Sequence, residues 1–206
     1  MAALHASMAE TRLRRGDVLF HEGDTGDKLY VVLEGKVKLG RTSTDGRENL
    51  LAIMGPGQMF GELSLFDPGP RSATVTAVTD ATFASLSHED LLRWLEGRPV
   101  VARGLLAQLA GRLRKANDVV ADLVFSDVPG RVAKALLDLA DRFGRTADDG
   151  VHVHHDLTQE ELAQLVGASR ETVNKALADF ASRGWLRLEP RSVVIMDVER
   201  MARRAR

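Results

Sequence analysis

Closely spaced glycines divide residues 16–69 into short apolar runs, which restricts this part of the chain to short strands. Ten of the 18 glycines lie here. The runs are rich in strand-forming residues; they read DVLF, KLYVVLEG, KVKLG and NLLAIM, and ATVTAVT follows at residues 73–79. Short strands between frequent turn residues are typical of a compact barrel or sandwich. We expect a hairpin turn at Glu34–Gly35 and another turn at Asp45–Gly46.

The pattern becomes helical at Ser87, a serine that precedes acidic residues as a helix cap does. Residues 99–125 contain no proline after the first position and only two glycines, which predicts one long helix. Apolar side chains recur along it at spacings of three and four, as in a heptad repeat. This stripe fits either a seam between two helices of a dimer or a helix packed on its own barrel. Its members are Leu106, Leu109, Leu113, Ala116, Val120 and Leu123.

The last eighty residues indicate a further domain. A helix is predicted to begin after Asp127 and to end at Gly144, and a polar loop is predicted over residues 144–150. The buried stripe of this helix is predicted from its apolar spacing and comprises Val132, Leu136, Leu139 and Phe143.

A helix-turn-helix is predicted next. Thr158 and Glu161 form a capping-box pattern, and Gly167 is placed for the left-handed residue that ends a helix. Ser169 then caps a second helix, so that the break is three or four residues around a glycine. After Gly184, the sequence WLRLEPRSVVIM predicts a two-stranded wing.

Polar residues near the start of the second helix predict an interface with double-stranded DNA. A recognition helix presents its N-terminal residues to base edges, and capping hydroxyls and backbone N–H groups can hold phosphates. A helical hairpin with a solvated polar face is the alternative. The predicted DNA-binding residues are Thr158, Ser169, Arg170, Glu171, Thr172, Asn174 and Lys175.

The stretch FGELSLFDPGPRSATV, residues 60–75, places an acid and an arginine nine positions apart in an apolar region. GELSLF is predicted to form one helical turn whose first N–H groups face an anion. Arg71 adds a fork of donors suited to phosphate, and Ser72 adds a hydroxyl. Glu62 can accept a hydrogen bond from a ribose hydroxyl, so the stretch predicts a site for a sugar phosphate or nucleotide. A simple Glu62–Arg71 salt bridge remains the alternative.

FGELSLFDPGPRSATV resembles the phosphate-binding cassette of cyclic-nucleotide-binding β-roll domains. Together with LTQEELAQLVGASRETVNKAL, it is similar to the cyclic AMP receptor protein/FNR family of bacterial transcription regulators. FSDVPGRVAKALLDLADRFG is most similar to the actinobacterial members. The resemblance implies an α+β fold with an N-terminal β-roll, a long dimerisation helix and a C-terminal winged helix-turn-helix. The corresponding domains are residues 1–98, 99–125 and 126–206.

The resemblance also implies roles for particular residues. It implies that each β-roll of a homodimer binds one cyclic AMP, with Gly61 and Glu62 at the ribose and Arg71 and Ser72 at the cyclic phosphate. Leu63 and Ser64 lie in the same cassette and are expected to contact the nucleotide as well. For the recognition helix, it implies contacts from Arg170, Glu171 and Lys175 to a palindromic operator with TGTGA-like half-sites, and a partnership with RNA polymerase.

The sequence departs from the family pattern at the long helix. Where the family has adjacent hydroxyl residues that contact the adenine, often Thr-Ser, this chain has Ala116–Asn117. Asn117 can both donate and accept a hydrogen bond, whereas Ala116 can do neither, so we expect base recognition to pass to Asn117. The short N-terminus is also expected to lack the family's opening helix.

Composition excludes several classes of function. The chain has no cysteine, which excludes thiolate metal sites, disulfides and thiol redox sensing. The net charge of −1 gives no global attraction to nucleic acid, so DNA binding requires a local patch. Without a long apolar run or a signal core, a cytoplasmic protein without membrane contact is expected. His152 and His154 would share a face of a strand, but no third ligand is evident, so no metal is predicted.

Two functions without catalysis are alternatives to a regulator controlled by cyclic AMP. No nucleophile and base stand together, so an enzyme is not expected. One alternative is a ligand-independent DNA-binding protein whose β-roll serves only to dimerise it, and the other is a nucleotide sensor that acts on another protein.

Overall fold

The computed structural model describes residues 9–67 and 69–206. The chain divides into two compact units, Met1–Lys115 and Ala116–Arg206. The expectation that the chain lacks an opening helix concerns residues 1–8, which lie outside the described residues.

Two antiparallel four-stranded sheets form the described part of the first unit. One has the strand order β1-β8-β3-β6 and the other β2-β7-β4-β5. The strands are β1 (Ala9–Leu13), β2 (Val18–Phe20), β3 (Lys28–Glu34), β4 (Val37–Thr42), β5 (Glu48–Met54), β6 (Met59–Phe60), β7 (Thr74–Ala77) and β8 (Ala81–Ser87).

Apolar side chains from both sheets bury one another in a shared core. The Phe60 ring lies edge-on to Phe83, with centroids 5.7 Å apart, and stacks on Tyr30 at 5.5 Å. Such aromatic pairs add about 0.5–1.5 kcal/mol to the gain from burial. The buried members of this core are Val32, Val37, Met54, Phe60, Val75, Ala81 and Phe83.

The predicted hairpin at Glu34–Gly35 is wrong. The strands on either side of it, β3 and β4, belong to different sheets, and β3 pairs with β8 and β6 instead. Gly35 has a φ of +80°, and a Cβ atom there would lie 2.2 Å from the carbonyl oxygen of Asp80. The glycine therefore serves a crossing between sheets that passes close to another backbone segment. The turn at Asp45–Gly46 is confirmed, since Thr42 pairs with Glu48 across it.

Three helices complete the first unit or begin in it: α1 (Leu63–Phe66), α2 (His88–Leu95) and α3 (Pro99–Phe125). Ser87 caps α2 as predicted, because its hydroxyl accepts a hydrogen bond from the backbone N–H of Asp90. The long helix has the predicted limits. Among the described residues, no helix combines the length and apolarity needed to span a membrane.

The heptad stripe of α3 remains largely uncovered in the single chain. Leu106 and Leu113 are 64% and 65% exposed, Val120 is 61% exposed, and no residue of this helix is fully buried. The helix contacts the first unit through other residues, Leu105 and Arg112. Leu106 and Leu113 of the stripe do not pack into the core, so packing on the barrel does not account for the stripe. A seam with a second helix accounts for the stripe.

The second unit contains a winged helix-turn-helix. Asp127 caps the first helix, the Thr158–Glu161 capping box is present, and Gly167 is left-handed with a φ of +64°. Ser169 caps the recognition helix, so each predicted cap is confirmed. The elements are the end of α3, α4 (Val128–Phe143), β9 (Gly144–Ala147), β10 (Gly150–Val153), α5 (Gln159–Val166), α6 (Arg170–Ser182), β11 (Leu186–Glu189), β12 (Ser192–Ile195) and α7 (Val198–Arg204).

The predicted polar loop at residues 144–150 is instead a hairpin. β9 and β10 pair through it, and β10 also pairs with β12, so the wing extends into a sheet of order β11-β12-β10-β9. β9 is an exposed edge strand without a buried face, so its sequence lacks the alternation of apolar and polar residues that predicts a strand. Phe143 is only partly buried, unlike the rest of the predicted α4 stripe.

We expect Gly35→Ala to destabilise the first unit more than Gly46→Ala. Both glycines have a φ near +80°, which costs a side-chain-bearing residue about 1–2 kcal/mol. Only at Gly35 would the new Cβ also overlap the backbone, and such overpacking adds about 1–3 kcal/mol. Urea denaturation measures both variants, and equal losses of unfolding free energy would contradict the close approach at Gly35.

Candidate functional site

A pocket in the first unit brings the predicted cassette together. Its volume is about 380 Å³, including its open mouth. The lining contains all six cassette residues that the sequence predicted, Gly61, Glu62, Leu63, Ser64, Arg71 and Ser72, together with Phe20, Leu39, Ala73, Val75 and Arg112.

The Arg71 side chain is held in this pocket by neutral acceptors. Its Nη1 donates to the carbonyl oxygen of Gly61 at 2.7 Å and to the hydroxyl of Ser64 at 3.1 Å. Its Nη2 donates to the carbonyl oxygen of Lys28 at 2.8 Å. The guanidinium also lies over the ring of Phe20, 4.3 Å from the centroid. These contacts fix its position without neutralising its charge.

The burial of Arg71 leaves its charge unpaired. Arg71 is 4% exposed and forms no ion pair with any described carboxylate, and its Nε has no hydrogen-bond partner. Burial lowers the pKa of its guanidinium, although an arginine remains charged. A buried cation with an unused donor is a strong site for an anion.

Glu62 pairs with Arg112 and not with Arg71, so the alternative of a simple Glu62–Arg71 salt bridge is wrong. Arg112 Nη1 contacts Glu62 Oε1 at 2.5 Å, and Arg112 Nη2 donates to the carbonyl oxygen of Met59. The Glu62 side chain is 2% exposed, and its Oε2 has no partner. Sequence reasoning missed Arg112, because it lies fifty residues from Glu62 on α3 and no local spacing relates the two.

The pocket therefore offers one free carboxylate oxygen and one unpaired cation. The carboxylate oxygen can accept a hydrogen bond from a hydroxyl, and the guanidinium can bind an anion. Gly61 lies between them with a φ of +78°, and a Cβ atom there would lie 2.8 Å from Arg71 Nη1. A molecule with a sugar hydroxyl near a phosphate matches both groups.

Asn117, the predicted base contact, lies on α3 in the second unit, whereas the residues that line the pocket lie in the first. Ala116 and Asn117 are both exposed in the single chain.

The recognition helix α6 presents most of its predicted DNA-binding residues to solvent. Arg170, Glu171, Thr172 and Lys175 are exposed, and Lys175 Nζ donates to Glu171 Oε1 at 2.6 Å. Asn174 is partly buried, and its Oδ1 has no partner.

The predicted capping hydroxyls are engaged within their own helices. Thr158 Oγ1 accepts from the backbone N–H of Glu161, and Ser169 Oγ accepts from that of Thr172. Both hydroxyls therefore stabilise the N-terminal ends of α5 and α6.

Arg131 joins the helix-turn-helix to the end of α3, a link that the sequence did not reveal. Its Nη1 donates to the carbonyl oxygen of Ser126 at 2.8 Å, just after α3. Its Nε donates to that of Val166 at 2.9 Å and its Nη2 to that of Gly167 at 3.3 Å, at the end of α5. A positive charge at these carbonyls also suits the negative end of the helix dipole.

The histidines near the wing have other partners than a metal. His152 Nε2 contacts Asp149 Oδ1 at 2.6 Å, and Arg187 donates to the other Asp149 oxygen at 2.8 Å. These two hydrogen bonds lower the pKa of Asp149 to about 2. His155 is buried and accepts from the backbone N–H of Leu157. Within residues 9–67 and 69–206, no three potential ligands cluster around a metal position.

Comparisons with known proteins agree with both units. Residues 10–98 match the family model of the cyclic nucleotide-binding domain, and residues 130–204 match that of the Crp-like helix-turn-helix domain. A β-roll with an anion pocket and a winged helix-turn-helix define a ligand-binding transcription regulator.

The chain is similar to curated regulators over most of its length. It is 58% identical over all 206 residues to the CRP-like cAMP-activated global transcriptional regulator of Mycobacterium tuberculosis, of which it covers 92%. It is 42% identical over 89% of its length to the cyclic AMP receptor protein of Thermus thermophilus, of which it covers 82%.

Solved structures have the same fold. FixK2 of Bradyrhizobium japonicum matches with a TM-score of 0.84 and 25% identity over 95% of this chain and 96% of that one. The c-di-GMP-responsive global regulator CLP of Xanthomonas campestris matches with a TM-score of 0.79 and 26% identity, over 95% and 99% of the two chains.

This chain belongs to the cyclic AMP receptor protein/FNR family of transcription regulators. The predicted family, fold class and DNA-binding regulator are confirmed, as is the prediction that the chain is not an enzyme. Dimerisation is typical of this family.

We expect Arg112→Leu to lower the stability of the first unit by leaving the Glu62 carboxylate unpaired. Breaking a buried pair costs about 3–5 kcal/mol, but Arg112 is partly exposed, so we expect a loss of about 1–3 kcal/mol. Arg114→Leu, at an exposed position of the same helix, is the matched control. Chemical denaturation that gives equal losses for both variants would contradict a stabilising role of the pair.

Proposed function

We propose that this protein is a homodimeric, sequence-specific DNA-binding regulator whose affinity for DNA is controlled by cyclic AMP in the β-roll pocket. The observation that carries the proposal is the pair of unused groups in one pocket, the buried Oε2 of Glu62 and the buried, unpaired guanidinium of Arg71. The relatives named above as cAMP-activated and cyclic AMP receptor proteins support cyclic AMP as the effector.

In this proposal, the cyclic phosphate binds Arg71 and Ser72, and the ribose hydroxyl donates to Glu62. Gly61 allows the backbone to approach the ligand, and Leu63 and Ser64 complete the pocket wall. Asn117 contacts the base, because its amide can both donate and accept, in place of the hydroxyl that Ala116 lacks.

The recognition helix reads a palindromic operator with TGTGA-like half-sites. Arg170 and Lys175 are suited to the acceptors of guanine, and Glu171 can accept from cytosine N4. Asn174 and Thr172 lie beside them, and the ends of α5 and α6 at Thr158 and Ser169 hold phosphates. The exposure of Arg170, Glu171 and Lys175 supports this assignment. RNA polymerase is the proposed protein partner.

The exposed heptad stripe of α3 supports dimerisation through this helix. We accordingly assign residues 1–98 to the nucleotide-binding domain, 99–125 to the dimerisation helix and 126–206 to the DNA-binding domain. A protein that binds chromosomal DNA and RNA polymerase works in the cytoplasm.

A second candidate is a regulator of the same family that responds to another nucleotide or to none. Ala116–Asn117 favours it, since the resemblance implies hydroxyl residues there for adenine. The similar protein CLP, described as c-di-GMP-responsive, shows that this fold serves another effector. Calorimetry with cyclic AMP, cyclic GMP and c-di-GMP separates these possibilities.

We expect cyclic AMP to raise DNA affinity and DNA to raise cyclic AMP affinity by the same factor, as linkage requires. Arg71→Leu should weaken cyclic AMP binding by about 2–5 kcal/mol, since it removes a desolvated charge-assisted contact. The control is Arg47→Leu, at an exposed turn of the same unit. Operator binding at fixed salt, with and without nucleotide, is the measurement. If cyclic AMP leaves the DNA affinity of the wild-type protein unchanged, regulation by cyclic AMP is wrong and the ligand-independent alternative is favoured.

We expect Glu171→Ala to relax the base preference at one or two operator positions, by about 1–3 kcal/mol each. Lys175 would lose its partner Glu171 but keep its charge, so binding to non-specific DNA should change little. Competition among operators with single base changes measures the preference. A loss of affinity that is equal for all sequences would instead indicate a role in folding or phosphate contact.

A further inference from the structure

The Ser64 hydroxyl contacts the predicted phosphate ligand Arg71, which suggests a role different from direct ligand contact. Its oxygen accepts from Arg71 Nη1 at 3.1 Å. With the carbonyl oxygens of Gly61 and Lys28, it is one of three acceptors that hold the guanidinium. All three are neutral. A carboxylate in the same place would hold Arg71 equally well but would cancel the charge that an anion needs.

Gly26 makes room for this hydroxyl. A Cβ atom at position 26 would lie 2.1 Å from Ser64 Oγ, 2.7 Å from Ser64 Cβ and 2.9 Å from Arg71 Nε. The backbone φ of Gly26 is not in the left-handed region, so an alanine would suffer no strain of its own there. The need for glycine at this position is therefore purely one of space.

Gly26 has little freedom to move away from Ser64. Two backbone hydrogen bonds tie the loop that carries Gly26 to Arg71. The Arg71 N–H donates to the carbonyl oxygen of Asp24 at 2.8 Å, and the Gly23 N–H donates to the carbonyl oxygen of Arg71 at 2.9 Å. A bridge between Thr25 and Pro70 adds a further connection. A side chain at position 26 would therefore displace the Ser64 hydroxyl or the guanidinium.

We propose that Ser64 and Gly26 form a positioning pair for Arg71, in which the hydroxyl fixes the guanidinium for the cyclic phosphate and the glycine leaves the space that the hydroxyl occupies. This inference rests on the proposed nucleotide-binding function. It assigns Ser64 to Arg71 and not to the ligand, and it gives Gly26, outside the cassette, a role in the site.

A double-mutant cycle tests the pair by calorimetry with cyclic AMP. We expect Gly26→Ala to weaken binding about tenfold in the wild-type chain, but less than about twofold in a Ser64→Gly background. In that background both Ser64 atoms that the new Cβ would overlap are gone, and only Arg71 Nε remains at 2.9 Å, a contact that a shift of a few tenths of an ångström in the flexible side chain relieves. Gly69→Ala is the control, since its Cβ would meet only ordinary contact at 3.8 Å. Equal effects of Gly26→Ala in both backgrounds would overturn the pairing.

A second cycle separates positioning from a general structural role. Ser64→Ala should weaken cyclic AMP binding in the wild-type chain and have no further effect in an Arg71→Leu background, since Ser64 acts through Arg71. An additional loss of cyclic AMP affinity in that background would overturn the inference. The inference is also wrong if Ser64→Ala leaves cyclic AMP affinity unchanged although Arg71→Leu lowers it. If Arg71→Leu itself leaves cyclic AMP affinity unchanged, the proposed function fails first.

Discussion

The pocket of the first unit is organised around the Arg71 guanidinium, which is buried without a counter-ion. A buried charge is costly unless it is hydrogen-bonded, and here three neutral oxygens and an aromatic face hold it. Each of them requires a particular backbone path. Gly61 must adopt a positive φ, the β3 strand must begin at Lys28, and Phe20 must end β2 beside the pocket. The geometry of the β-roll is thus the means of keeping one cation charged and available.

Glu62 is a buried anion in the same pocket and, unlike Arg71, it has a charged partner, Arg112. A buried carboxylate beside Arg71 would neutralise it, but the Arg112 side chain binds Glu62 Oε1 and directs that charge away. The second carboxylate oxygen, Oε2, has no partner. In the proposed function, Arg71 binds the anion and Glu62 accepts from the hydroxyl, while Arg112 compensates the charge of Glu62. The compensating residue belongs to α3, so a ligand that alters the environment of Glu62 also acts on that helix.

The sequence predicted those features that obey local rules. The caps at Ser87, Thr158 and Ser169 follow from side chains that bond within three residues, the left-handed Gly167 follows from the conformational freedom of glycine, and each is present. Two interpretations failed because the true partners are distant in sequence. The predicted hairpin at Glu34–Gly35 is wrong because β3 pairs with β8, and the alternative of a Glu62–Arg71 salt bridge is wrong because Arg112 binds the carboxylate. Contacts between residues far apart in the sequence decide these features, and a local sequence pattern carries no information about them.

The helix-turn-helix is tied to the chain segment that enters it. A ligand shifts an equilibrium only by the difference in its affinity for the two states, so any effect on DNA must pass through groups that change partners. Arg112 lies on α3, and Ser126 directly follows that helix. The Ser126 carbonyl oxygen shares the Arg131 guanidinium with Val166 and Gly167, the residues that precede the recognition helix. A change at the end of α3 would therefore act directly on the hydrogen bond between Ser126 and Arg131, and the same guanidinium binds the turn before α6.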